Sequence, residues 1–572
     1  MTGPVVTQSD SPVMTSVAGL SRVTAADRRA MPNLVDLAFS MAEHHGVCRR
    51  PLPMRAFDQA TGETKYVGAP CKSTLECVCP ACAARALVLR QHQCREGWHI
   101  PEEPVDSKRE PTQQERDVLT ARAALQAEYD QAKEAGDTDT MDGIREVVAD
   151  LDAELRESGV KGPFPPLDPK PKKVRKRSTR RRQEAEDLPR QKVSAVTVGR
   201  EYAGKYRPSL FVTLTLPSYG RVGPDGAPVD PDSYDYRQAA RDIIHFPRLF
   251  DRFVQNYRRA SGRNIQYFAS VEPQRRGAPH IHVGIRGTDP KAMVRQLNEA
   301  TYHQVWWPHF DREVYTPGHM PRWDYTMQRW VDPDAVNPET GEPVPVPTWD
   351  EALDAMDAVD ELEPAHVVRF GKQIDIKGIL GGTEEAGRHI GYLTKYLTKS
   401  IGDVIEPQSE RAARHYDRLH EELCKTPCSP SCGVWFRYGI VPKGANAKSV
   451  PGRCKGKAHR RDTLGMRGRR VLVSRKWTGK NLTDHKADRA EFVRQRLAEA
   501  GITKEELSTL RITPVEPGDP DAPPREHLIM ALVAEKLSRK AEYTRAMLVT
   551  DQDHVPRETV VPQQNSSDSD AA

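Results

Sequence analysis

The run Pro279-His280-Ile281-His282-Val283-Gly284-Ile285 constrains this chain more than any other. Side chains alternate faces along a strand, so His280 and His282 point the same way. A second strand is expected over Ile265–Glu272, joined to the first by a turn containing Gly277. On that strand Phe268, Ser270 and Glu272 share a face. A lone His-x-His also suits an exposed strand edge, but Glu272 beside it makes a two-imidazole, one-carboxylate set. Such a set leaves positions open on a divalent ion such as Mg2+ or Mn2+, which can grip phosphate oxygens. His389 is a further polar candidate with an equally good structural reading.

About a hundred residues later stands Tyr392-Leu-Thr-Lys395-Tyr396-Leu-Thr-Lys399. A helix over about 384–400 would put Tyr392 and Tyr396 one turn apart, with Lys395 and Lys399 repeating beside them. Phenols are weak nucleophiles near neutral pH unless positioned against a polarised phosphate, and the lysines can offset phenolate or phosphate charge. A metal on a sheet facing tyrosines on a helix is equipment for cutting and rejoining DNA through a phosphotyrosine. The bland alternative is an amphipathic stripe, although buried phenols need hydroxyl partners. Tyr202 and Tyr206 form a competing pair upstream.

The surrounding order is strand (210–216), helix (236–260), hairpin, helix (290–300), strand (366–370) and tyrosine helix. It predicts an α+β fold, with a central antiparallel sheet and helices in a domain over 195–405. Residues 331–364 read as an acidic, Pro-rich surface insertion. The chain has 572 residues and 46 prolines, too long for one core and rich in connections. Residues 1–30 and the tail read as disordered, and 161–194 as a Pro-rich then basic linker. A capping box at Thr112-x-x-Glu115 opens a helical hairpin within 106–160. Val118, Leu125 and Tyr129 form one of its stripes, and Ile144, Val147, Leu151 and Leu155 the other. The last unit, 491–572, ends in a helix over 526–548 and the tail.

Ten cysteines in a chain with no signal-peptide pattern and no long apolar run imply a cytoplasmic protein using thiolates for metal. In the N-terminal unit (31–105), Cys48, Cys71, Cys79 and Cys82 are spaced for a structural Zn2+. Cys77, Cys94, His92 and His99 are spare candidates. In a second unit (406–490), Cys424, Cys428, Cys432 and Cys454 make another expected zinc site, with His459 able to replace one.

The net charge of +5 conceals two basic blocks. Residues 170–182 hold nine Lys/Arg, and 453–480 hold eleven against the single acid Asp462. In the second block Arg460, Arg461, Arg467, Arg469, Arg470, Arg475 and Lys476 surround Trp477, a pattern for phosphate contact with base stacking. A solvated basic face is the alternative. Gly382 to His389 has phosphate-loop glycine spacing but lacks its Lys and Ser/Thr, so no ATPase is expected.

Taken together, Leu210–Leu216, Glu272 to His282 and Gly391 to Lys399 resemble, in order, the three motifs of HUH endonucleases. Most similar are the rolling-circle replication initiators of actinomycete plasmids and integrative elements, in the two-tyrosine form of single-stranded-DNA phage initiators. The resemblance covers roughly 40–100 and 195–485. It implies that His280, His282 and Glu272 bind Mg2+ or Mn2+, and that Tyr392 or Tyr396 nicks the origin strand. The implied product is a 5′-phosphotyrosine and a 3′-hydroxyl primer, with later rejoining. Implied partners are plasmid origin DNA, single- and double-stranded, with a host helicase and polymerase. One rival, a two-tyrosine HUH transposase, shares the metal, the tyrosines and an N-terminal zinc unit, and a second, a non-catalytic zinc DNA-binding regulator, would bind DNA without a covalent adduct.

Overall fold

The computed structural model describes residues 33–59, 61–104, 111–158, 160, 164–168, 185, 187–199, 201, 207–359, 361–381, 383–395, 397–399, 401–466, 470–499, 510–516 and 518–553. Tyr202, Tyr206, Gly382, Tyr396, Arg467, Arg469, the first basic block and residues 1–30 lie outside the described residues, as does the tail beyond 553.

In chain order the elements begin with α1 (Leu34–His44), β1 (Leu52–Asp58), β2 (Thr64–Ala69) and α2 (Pro80–Trp98). The helical pair α3 (Gln113–Ala135) and α4 (Thr138–Glu157) follows. Then come β3 (Pro208–Thr215), α5 (Tyr236–Ser261), β4 (Tyr267–Pro273), β5 (Pro279–Arg286), α6 (Lys291–Ala300) and β6 (Tyr302–Val305). Next are β7 (Arg322–Asp324), β8 (Arg329–Val336), β9 (Pro343–Pro345), α7 (Trp349–Asp357), β10 (His366–Arg369), β11 (Ile374–Leu380) and α8 (Glu384–Thr394). The last described elements are α9 (Ile401–Val404), α10 (Glu410–Lys425), β12 (Val471–Val473), α11 (Leu482–Glu499), β13 (Leu510–Pro514) and α12 (Arg525–Asp553).

The central sheet has the order β11-β3-β5-β4-β12, with every neighbouring pair antiparallel. Its period of two sorts side chains into two layers. Leu210, Val212 and Leu214 of β3 and Ile281, Val283 and Ile285 of β5 join the core built on α5. That helix starts where the Asp235 carboxylate accepts from Gln238 N at 2.8 Å, and ends at Gly262 in the left-handed region. Ile243, Phe246, Phe250, Phe253 and Tyr257 are its buried stripe. Phe211 of β3 and Phe268 of β4 face the other layer, with Trp98, Ile390, Leu393 and Trp477. Gly284 lies under the Trp98 ring, where a Cβ would come within 2.6 Å of a ring carbon. A bare backbone at that point is what lets α2 seat on the sheet.

The helical hairpin is present with its capping box. Its stripe differs at one point, since Val148 is buried and Val147 is 48% exposed. Ile144 and Val148 are one turn apart on the side facing Tyr129. The described part of 331–364 contains regular structure. It supplies most of β8, then β9 and α7, and Val346 and Trp349 are buried. Trp330 at the head of β8 packs at a tilt against Phe436, ring centroids 4.6 Å apart.

Segment 406–490 shares the main core through Tyr416, Leu419, Leu423 and Trp435, and supplies β12 to the central sheet. Segment 491–572 returns to the start of the chain. β13 pairs with β1, and Ile529 and Val533 of α12 pack on Ala38 and Ala42 of α1. Among the described residues no helix is long and apolar enough to cross a membrane.

Candidate active site

Strand register assembles the site. Glu272 on β4 lies opposite His280 on β5, and Thr213 on β3 lies opposite His282. All four side chains fall on the layer opposite α5, just beyond the end of the Trp98 cover. One ligand atom from each of Glu272, His280 and His282 lies within 4.8 Å of the others. Thr213 Oγ1 is 2.9 Å from His282 Nδ1, which orients the ring and leaves Nε2 facing the carboxylate at 4.0 Å. Ser270 Oγ donates to Glu272 Oε1 at 3.3 Å.

Burial sets the charges. It lowers the His280 pKa to about 4 and that of His282 to about 3, so both imidazoles are neutral ligands at neutral pH. Burial raises the Glu272 carboxyl to about 7, partly offset by the charge of Arg470, the Ser270 hydrogen bond and Lys395. His280 Nδ1 is buried without a hydrogen-bond partner. A buried orphan nitrogen, a second neutral imidazole and a carboxyl kept near its titration point fit a divalent cation.

Tyr392, near the end of α8, faces this set. Its Oη is 3.3 Å from His282 Nε2 and the ring is 44% exposed. Phe211 holds it edge-on at 6.0 Å between centroids. Together Phe211, Thr213, His282, Asp375, Lys377, Glu385, Arg388, His389 and Tyr392 line an open cleft of about 490 Å³. His389 belongs to that cleft wall, its Nδ1 2.8 Å from the Glu385 carbonyl.

The tyrosine helix stops earlier than its sequence predicts. It ends at Thr394 rather than about 400, with Lys395 as its cap. The buried Thr394 hydroxyl donates back to the Ile390 carbonyl at 2.8 Å, competing with helix continuation. The Thr398 carbonyl instead accepts from Glu76 N at 2.7 Å, which ties this segment to the cysteine-rich unit. The expected common face of Tyr392 and Tyr396 falls partly outside the described residues, since Tyr396 is not among them. Lys395 and Lys399 are exposed.

Among known proteins, residues 35–535 match the family model described as replication initiator protein, pSAM2. The chain belongs to this family, RepSA. A replication initiator protein of Streptomyces ambofaciens is 25% identical over 278 residues, 40% of this chain and 52% of that relative. The chain thus spans about half the length of the curated relative it matches. No solved structure matches.

Two cysteine clusters flank the site of this RepSA chain. Cys48, Cys71, Cys79 and Cys82 come together as expected, with Cys79 and Cys48 sulfurs 3.8 Å apart. The second cluster is Cys428, Cys432, Cys454 and His459, so Cys424 is replaced by His459. Cys424 sits back on α10, its sulfur 3.4 Å from His420 Nε2. His459 Nδ1 is 2.9 Å from the Leu423 carbonyl, which aims Nε2 at Cys432 Sγ, 3.4 Å away. Hydrogen bonds from Cys428, Cys432 and His459 hold the Cys454 thiol well below its ordinary range. Both donor sets, one of four thiols and one of three thiols with an imidazole, are compatible with Zn2+. Cys94 is buried in the apolar layer beside Trp98 and Trp477.

The basic block is divided by the fold. Arg460 and Arg461 remain partly exposed, paired with Asp462 and Asp417. Arg475 is exposed and Lys476 half-buried. Arg470 is turned inward. It donates to the Lys399 carbonyl at 2.8 Å and the Val271 carbonyl at 3.3 Å, beside Glu272. Trp477, expected to stack on bases, is fully buried, with Nε1 donating to the Gln93 carbonyl. Two site residues escaped the sequence reading. Thr213 carried only the period-two signal of β3, and the place of Arg470 beside Glu272 depends on β12 pairing with β4 from two hundred residues away.

Proposed function

We propose that this chain cuts and rejoins one strand of a plasmid origin to initiate rolling-circle replication, with Tyr392 as the attacking residue. The single observation carrying this reading is the Tyr392 hydroxyl 3.3 Å from His282 Nε2, at the mouth of an open cleft. Glu272, His280 and His282 would hold Mg2+ or Mn2+, which when bound neutralises phosphate charge and polarises phosphorus. The Tyr392 oxygen forms a bond to the scissile phosphorus, the bond to the 3′ oxygen breaks, and the phenol proton ends on that oxygen. The 5′ end is kept as a phosphotyrosine ester and the 3′-hydroxyl primes synthesis. One phosphodiester is exchanged for another, so attack by a 3′-hydroxyl reverses the step and rejoins a strand. Tyr396 is the second nucleophile in this reading, and Lys395 and Lys399 offset charge near the phosphate. Arg460, Arg461, Arg475 and Lys476, with Arg467 and Arg469, supply phosphate contacts that hold origin duplex. A host helicase and polymerase complete the process.

The test is incubation with single-stranded origin DNA and Mn2+, read on a denaturing gel. Wild type and Tyr396→Phe should form a covalent complex. Tyr392→Phe should form none, while its ring packing is kept. His282→Ala should lose cleavage yet retain duplex binding. An adduct mapped to Tyr202 or Tyr206, or binding with no adduct at all, would overturn the proposal.

A further inference from the structure

A third side-chain cluster lies away from both cysteine sets and from the cleft. On α2, His92 and Glu96 are one turn apart, and across from them stands His485 of α11. Glu96 Oε2 is 3.4 Å from His92 Nε2 and 3.3 Å from His485 Nδ1. A tetrahedral Zn2+ with bonds of about 2.0–2.1 Å sets its donors about 3.3–3.4 Å apart. Both separations therefore match the edge of a zinc tetrahedron, and all three donors lie within 4.8 Å of one another.

His485 is fully buried, and its Nδ1 has no hydrogen-bond partner. Its other nitrogen is 2.9 Å from Thr478 Oγ1. The Thr478 hydroxyl also lies 3.3 Å from the Lys480 carbonyl and accepts from Lys480 N at 3.4 Å, so it is placed to accept from Nε2–H in the tautomer that a metal on Nδ1 requires. In that tautomer the neutral ring carries a lone pair on Nδ1, aimed at the Glu96 carboxylate. Two facing lone pairs repel unless a cation lies between them. Lys480 does not fill that role, because its ammonium holds the other oxygen, Oε1, at 3.1 Å and is itself shared with Asp488 at 2.9 Å.

We infer that His92, Glu96 and His485 form a divalent transition-metal site, with Zn2+ the best-suited ion, that clasps α11 onto α2. Half-exposed His92 gives the ion its entry from solvent and leaves the fourth position for water. The clasp pins the segment leaving the central sheet after Trp477 against the helix that Cys79 caps and whose first turn holds Cys82. Ordering of α11 thereby becomes metal-dependent, and this holds whether or not Tyr392 is a nucleophile.

The experiment uses the full chain. Zinc is counted by elemental analysis after dialysis against a weak chelator, and Zn2+ is then titrated back by calorimetry. Wild type should bind one equivalent more than His92→Ala or Glu96→Gln. In either variant that equivalent should weaken beyond the roughly 10–100-fold cost of a lost outer-shell partner. In wild type alone, Zn2+ should slow tryptic cleavage within α11 at least about tenfold, as expected when a local opening is suppressed. Both variants are mild, since His92 is half-exposed and Glu96→Gln is isosteric. Equal zinc uptake in all three proteins, a loss of more than one equivalent, or unchanged tryptic cleavage overturns the inference.

Discussion

At the residue scale the proposed metal site places titratable groups in the wrong medium for their charges. Glu272 is 3% exposed, and burial lifts its carboxyl from 4.5 to about 7. Cation binding needs the carboxylate, so below about pH 7 each ion bound displaces a proton. Affinity for Mn2+ is expected to fall about tenfold per pH unit between about pH 7 and 5.5. His280 and His282 titrate near 4 and 3 and add nothing in that window. Calorimetric Mn2+ titrations in buffers of different ionisation enthalpy should report release of one proton at pH 6. Glu272→Gln should bind more weakly with a flat profile, and a wild-type profile that is already flat would refute the assignment of Glu272 as a ligand.

At the element scale the positions of the functional groups depend on where elements stop and what they rest on. α8 ends at Thr394, and the segment after it is held by the cysteine-rich unit, where Glu76 N donates to the Thr398 carbonyl. The four-cysteine cluster is thus a buttress for the tyrosine segment, and Gln91 of α2 adds a 3.3 Å bond to Thr394. The second cluster, with His459, anchors α10 to the loop that leads to β12. His459→Ala should remove one zinc equivalent and lower soluble yield, whereas Cys424→Ala should keep full zinc content by elemental analysis. The reverse pattern would restore Cys424 as the ligand. Gly284 offers a packing test. A methyl there meets the Trp98 ring, which is fully buried and fixed by Nε1 donating to Ser209 Oγ at 2.7 Å. Gly284→Ala should cost about 1–3 kcal/mol in urea unfolding, the usual toll of overpacking a rigid core.

At the scale of the whole molecule, the ends of the described chain meet. β13 extends the β1–β2 sheet, and α12 covers the apolar face of α1 beside the four-cysteine cluster. Leu532 of α12 packs against that cluster directly. Truncation before residue 510 strips this cover and leaves Ala38, Ala42 and Val47 open to water. The truncated chain is expected to lose its N-terminal zinc to a chelator faster than the full chain and to unfold in an earlier, separate transition. Zinc release followed with a colorimetric chelator checks this, and identical release curves would show the arm to be dispensable. Buried Arg286 does comparable work at the centre. It donates to the Gly97, Lys476 and Trp477 carbonyls and so joins α2, the sheet and the segment before α11.

Local periodicity by itself determined the parts of this protein that repeat at short range. The two-residue alternation of β3, β4 and β5 placed His280, His282 and Glu272 on one face, and apolar spacing defined α5 and the helical hairpin. Cysteine spacing chose the N-terminal four-cysteine set, because a CPxC knuckle fixes two ligands locally. Only tertiary structure decided the remainder, and for one reason throughout. The deciding partner was distant in sequence. His459 displaced Cys424 because the Leu423 carbonyl orients its ring. Arg470 and Trp477 left the basic surface because β12 pairs with β4 and carries them inward. β11 sits at the sheet edge beside β3, in a short exposed segment with little alternation of its own. Tyr392 is a local signal given its role by distant packing, since the residue lies on a predicted helix but its hydroxyl meets His282 only because α8 packs over the sheet. Side-chain alternation is a property of a few neighbouring residues, whereas ligand identity, burial and charge depend on the medium that the rest of the chain builds around them.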